Sequence, residues 1–87
     1  MYIILAYDVG EERVNRARKL VRRYLPRVQN SVFEGDISES KLDKLKSQLE
    51  SVLELDRDSV LIWVLRDAKW VDRQTLGCEK LPVDNML

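Results

Sequence analysis

Residues 2–8 read Tyr-Ile-Ile-Leu-Ala-Tyr-Asp, apolar at nearly every position. A strand turns successive side chains to opposite faces, so this segment is apolar on both. Such a strand lies in the middle of a sheet that is covered on both sides. In a chain of 87 residues that requirement is severe. A chain of this size buries only about 60–65% of its unfolded surface, and it has few elements with which to cover two faces. A second copy of the same sheet is the simplest cover for the face its own helices leave open. The segment therefore predicts a homodimer packed sheet to sheet.

The remaining elements follow from spacing. Val9-Gly10-Glu11-Glu12 reads as a turn into a helix running from about Glu12 to Leu25, which Pro26 ends. Val14, Ala17, Leu20, Val21, Tyr24 and Leu25 fall on one arc of that helix. Residues 28–37 are β-rich and predict two short strands or one bent strand, with Gly35 as a bend or bulge. Ser38 and Ser40 are candidate caps for a second helix, whose apolar stripe is Leu42, Leu45, Leu49, Val52 and Leu53. After a polar turn, residues 54–58, the segment 59–65 reads as a second buried strand. The order β-α-β-β-α-β predicts an α+β ferredoxin-like domain over residues 1–66, with both helices on one face of an antiparallel sheet. Residues 67–87 form a C-terminal extension. A helical turn is expected at 68–72, a fifth strand exchanged with the partner subunit at 74–78, and a flexible or partner-ordered tail at 81–87.

Net charge is zero, but its distribution is uneven. Arg13, Arg16, Arg18, Lys19, Arg22, Arg23 and Arg27 all fall between positions 13 and 33, where there is no acidic residue. Residues 34–58 are instead predominantly acidic. Fields act locally, so the segment matters more than the total. On the first helix, Arg16, Arg18, Lys19, Arg22 and Arg23 stand opposite the apolar arc. Exposed helices usually mix signs to gain i,i+4 pairs, and this one has no acid beyond Glu12. Like charges repel unless a polyanion lies against them. Together with Arg27, this face is a candidate grip for a nucleic-acid backbone, with arginine forks suited to phosphate. The plain alternative is a solvated surface. Tyr7 and Phe33 are candidate base-stacking residues, or simply core.

Asp8 ends the first strand just before the turn. It is either a turn aspartate or a metal ligand. Mg²⁺ is usually held by one or two carboxylates plus water, so two copies of Asp8 facing each other in a dimer would share one ion. Glu11, Glu12 and Glu34 are further oxygen donors. Histidine is absent, which leaves metal-assisted hydrolysis as the available chemistry. Cys78, the lone cysteine, has no internal disulfide partner. No apolar run approaches the ~18 residues needed to span a membrane, and the opening residues lack a positive leader. A cytoplasmic protein with no membrane partner is expected.

These residues also carry a resemblance. Tyr7-Asp8-Val9, then Asn15-Arg16, then Arg27-Val28-Gln29-Asn30-Ser31-Val32-Phe33-Glu34-Gly35 resemble the CRISPR-associated Cas-two family over about residues 2–66. The resemblance implies a ferredoxin-like homodimer with an exchanged last strand. It implies that Asp8 is the catalytic and metal-binding aspartate, and that Mg²⁺ is the cofactor. It places the family's helix arginine at Arg16, its pre-strand arginine at Arg27 and its motif aromatic at Phe33; Val14 stands where some members carry a further arginine. Members are described as Mg²⁺-dependent endonucleases on RNA or DNA. The family also serves spacer acquisition, bridging dimers of the Cas-one integrase and carrying prespacer DNA. Toxins of the virulence-associated protein D type share the aspartate and dimer and act alone as endoribonucleases, a second reading. A third is a regulatory ferredoxin-like domain for a small ligand.

Overall fold

The computed structural model describes residues 1–78. Strand β1 (Tyr2–Asp8) leads into helix α1 (Glu11–Arg22), then β2 (Arg27–Gln29), β3 (Val32–Asp36), helix α2 (Glu39–Val52) and β4 (Ser59–Leu65). The sheet order is β2-β3-β1-β4, with β1 antiparallel to both β3 and β4. This is the ferredoxin-like arrangement, and β1 is central, as its two-sided apolarity requires. The turn expected at 68–72 is a 3₁₀ turn at Ala68–Trp70, capped by the Asp67 side chain.

Alternation along β1 divides the molecule into two layers. Ile3, Leu5 and Tyr7 are buried beneath the helices with Ala17, Leu20, Val21, Leu25, Phe33, Leu42, Leu45 and Leu49. Tyr2, Ile4, Ala6 and Asp8 point to the other face, where register sets Ile4 beside Trp63, Ala6 beside Leu61 and Asp8 beside Ser59. Trp63 and Leu61 remain 50% and 58% exposed there. This is the open face that the sequence predicts.

Helix α2 is capped by Ser38, whose hydroxyl accepts the Lys41 N–H at 3.2 Å. Helix α1 has Gly10 at its N-terminus, with acids in the first turn and Lys19 and Arg22 in the last, the polarity its dipole favours. Gly35 is not a bulge: it pairs in register with Ile3, and the register shift lies instead between Arg27 and Gln29. Gly35 serves close packing, because a Cβ there would stand 3.0 Å from Pro26 Cδ. Asn30 makes the β2–β3 turn with φ of 31°, a region asparagine tolerates.

Residues 71–78 form no regular element within the single chain. Arg73 pairs with Glu34 on β3, and residues 73–76 lie beside Val28 and Gln29 of β2. The segment thus crosses from the β4 edge toward the β2 edge over part of the open face. The expected tail at 81–87 lies outside the described residues.

Candidate nucleic-acid interface

The basic surface is built by helix periodicity. Burying Val14, Ala17, Leu20, Val21 and Tyr24 against the sheet and α2 turns Arg16, Lys19 and Arg23 outward along one line, with Arg18 and Arg22 beside them. Arg16, Lys19 and Arg23 are exposed, whereas Arg18 and Arg22 are half-buried. Arg18 donates to Asn15 Oδ1 at 3.4 Å. Arg16, Lys19 and Arg23 line a shallow groove of about 270 Å³ with Leu20 and Val52, where α1 meets α2. None of these three enters an ion pair among the described residues. Arg27 sits off the helix at the start of β2, with its Nε donating to the Asn30 carbonyl at 2.7 Å.

Arg13 does not belong to this surface. It stands on the apolar arc, and its Nε and Nη2 donate to Asp58 Oδ2 and Oδ1 at 2.6 and 2.8 Å. Its Nη1 donates to Glu12 and Glu54 at 2.9 and 2.8 Å. Asp58 also accepts the Gly10 N–H at 3.0 Å and the Glu54 N–H at 2.9 Å. The hydrogen bonds from Arg13 hold the Asp58 carboxyl well below the usual carboxylate range, the two backbone amides add to this, and burial opposes it. The same pairing raises Arg13 above its ordinary value. Sequence reading counts Arg13 with the basic run. The overlooked signal is its spacing: Ala17 and Leu20, at i+4 and i+7, are both buried.

Asp8 is exposed at the end of β1. The Asp58 node fixes the chain on both sides of it, tying Gly10, two residues on, to the residue preceding Ser59, which pairs with Asp8. No group of three or more candidate metal ligands occurs among the described residues. Glu12 is paired with Arg13 and Glu34 with Arg73. One exposed carboxylate per subunit fits Mg²⁺, because that ion keeps several waters and takes only one or two carboxylates. Within one subunit Asp8 and the basic arc stand on opposite layers, the sheet's open face and the outer helix surface.

Tyr7 and Phe33 are not available to bases. Phe33 is fully buried and Tyr7 is 8% exposed, and their rings stack on each other with centroids 5.9 Å apart. Both occupy strand positions that face the helices, which corrects their candidacy as substrate contacts.

Residues 1–73 match the family described as "CRISPR associated protein Cas2". The chain belongs to the Cas2 family. A protein of Methanothermobacter thermautotrophicus named CRISPR-associated endoribonuclease Cas2 is 44% identical over 87 residues, 100% of this chain and 96% of that one. A Pyrococcus furiosus protein of the same name is 42% identical over 100% of both chains. A Cas2 crystal structure superimposes with a TM-score of 0.86 at 43% identity, covering 95% of this chain and 93% of the other. Streptococcus pyogenes Cas2 gives 0.78 at 30% identity, covering 88% and 100%. The ferredoxin-like fold is thus the Cas2 fold. No helix among the described residues is long and apolar enough to cross a membrane.

Proposed function

We propose that the chain is a nucleic-acid-binding Cas2 subunit that works as a cytoplasmic homodimer, cleaves phosphodiesters with Mg²⁺ at paired Asp8 residues, and serves CRISPR spacer acquisition. The observation that carries this reading is the outer face of α1. It presents Arg16, Lys19 and Arg23, exposed and outside any ion pair among the described residues, with Arg18 and Arg22 beside them, and exposed like charges along one line suit a polyanion. The relatives' names as endoribonucleases support the hydrolytic part. The exposed Trp63 and Leu61 support the dimer, since Asp8 shares their face and sheet-to-sheet packing would bring two copies together. In this dimer residues 74–78, which form no regular element in the single chain and lie beside its own β2, would leave that place and add as a fifth strand to the partner's sheet edge.

The two copies of Asp8 would hold Mg²⁺, and the ion would supply activation of water and compensation of charge on the phosphate. The chain's own part at this site is to hold Asp8 at the end of a strand, with its turn fixed by Arg13 and Asp58, while the arginines of the opposite layer bind backbone away from Asp8. Water adds to phosphorus, the P–O bond to the leaving strand breaks, and of the water's two protons one ends on the leaving oxygen and the other on the new terminal phosphate or in solvent. Nothing in the site reads bases, so RNA and DNA are both substrates of the assay.

The placement of Asp8 and the basic arc on opposite layers favours a second role for the arc. As a scaffold it would hold prespacer duplex while the dimer bridges two Cas-one integrase dimers, with Asp8 dispensable. The test is Asp8→Ala against wild type, with Mg²⁺, on single-stranded RNA and duplex DNA. Loss of product with unchanged binding supports the nuclease. Equal product from both proteins rejects Asp8 chemistry, and Asp8-independent binding without product leaves the scaffold.

A further inference from the structure

The basic line does not end with the helix. Arg23 lines the α1–α2 groove and also a second, larger recess of about 610 Å³ between the end of α1 and the start of α2. That recess is walled by Arg23, Tyr24, Asp36, Ile37, Ser38 and Lys41. Its volume lies in the range of small-ligand sites, roughly 300–1,000 Å³. Lys41, like Arg23, is exposed and enters no ion pair among the described residues. Tyr24 is held in place by its hydroxyl donating to Gln48 Oε1 at 2.7 Å. The Ser38 hydroxyl accepts the Lys41 N–H, and Met1, whose ammonium donates to the Ile37 carbonyl at 3.3 Å, also lines the recess, so the charges there are Arg23, Lys41, the Met1 ammonium and Asp36.

We propose that this recess holds the phosphate-bearing terminal nucleotide of a strand lying on α1. Arg23 and Lys41 take the terminal phosphate, which carries more charge than an internal diester. Tyr24 and Ile37 give the sugar and base an apolar wall, and Asp36 accepts a hydrogen bond from a sugar hydroxyl or base amine. The end of a strand fits better than its middle because the basic line of α1 ends at Arg23, while the recess wall itself contributes Asp36 and the first turn of α2 carries Glu39. The inference rests on the basic face of α1 binding nucleic acid.

The test measures binding of one short oligonucleotide sequence, as RNA and as DNA, with a 5′-phosphate, a 3′-phosphate or neither. Proteins are wild type, Lys41→Gln and Arg16→Gln. Two exposed cations on one extra phosphate predict about fivefold to tenfold tighter binding of one phosphorylated form by wild type. Lys41→Gln, which leaves Arg23 in place, should cut that ratio to about twofold to threefold, while Arg16→Gln weakens every oligonucleotide and keeps the ratio. Binding without a terminal-phosphate preference, or a preference undiminished in Lys41→Gln, overturns the recess alone. Failure of wild type to bind any oligonucleotide overturns the basic-face reading and the recess with it.

Discussion

Arg13 and Asp58, 45 residues apart in sequence, are joined by two hydrogen bonds of 2.6 and 2.8 Å. The pair locks the start of α1 to the turn entering β4, and Gly10 is small because of it: a Cβ there would stand 2.6 Å from Arg13 Nη2. Breaking one side strands a desolvated charge. Arg13→Ala should therefore lower Tm more than Arg16→Ala, Lys19→Ala or Arg23→Ala, whose side chains are exposed. Thermal unfolding of the four proteins checks the order.

The same pair gives a pH dependence of known sign. Arg13 holds the folded pKa of Asp58 below its ordinary value, so the native state binds this proton more weakly than the unfolded chain. The stabilisation is complete above the unfolded carboxylate range, near pH 4. It is lost progressively as pH falls below that range toward the folded value. Denaturant midpoints across that window should fall less steeply in Asp58→Asn than in wild type, from a lower starting stability.

Phe33 separates packing from substrate contact. As a fully buried ring stacked on Tyr7, its truncation to Ala should cost about 3–5 kcal/mol. Phe33→Leu should retain oligonucleotide affinity in protein that is still folded. Urea titration gives the first quantity and binding under native conditions the second.

Much of this was legible in the chain. The two-sided apolarity of residues 2–8 placed β1 centrally, and the 3.6-residue spacing of Ala17, Leu20 and Val21 set which face of α1 is basic. What was not legible depends on contacts distant in sequence. Arg13 looks like one more cation until Asp58 is brought beside it, and Glu34 looks like a spare ligand until Arg73 reaches it. Tyr7 and Phe33 carry the same chemistry whether inside or outside, and only the register of β1 with β3 decides that they face the helices. Gly35 reads as a bend because its neighbour Pro26 is nine residues away.

The open face predicts self-association. Trp63→Glu or Leu61→Glu places a charge among Ile4, Ala6 and Leu65 on that face, where a covering subunit would have to desolvate it. Sedimentation should show wild type as a dimer and either variant shifted toward monomer, with far-UV circular dichroism unchanged. A dimer equally stable in both variants would place the interface elsewhere.

Asp8 is exposed at a strand end, so its removal should be nearly neutral for folding, within about 0.5 kcal/mol. Chemical denaturation of Asp8→Ala checks this, and a near-wild-type midpoint makes any loss of cleavage a loss of chemistry.

If the outer face of α1 grips a polyanion, the salt dependence of duplex binding must differ between wild type and the triple variant Arg16→Gln, Lys19→Gln, Arg23→Gln. Each lost phosphate contact lowers the magnitude of the slope of log K against log salt by about 0.9. If all three side chains of both subunits engage the duplex, the slope should therefore flatten by about 5. An unchanged slope, with affinity intact at low salt, would return the basic face to ordinary solvated surface.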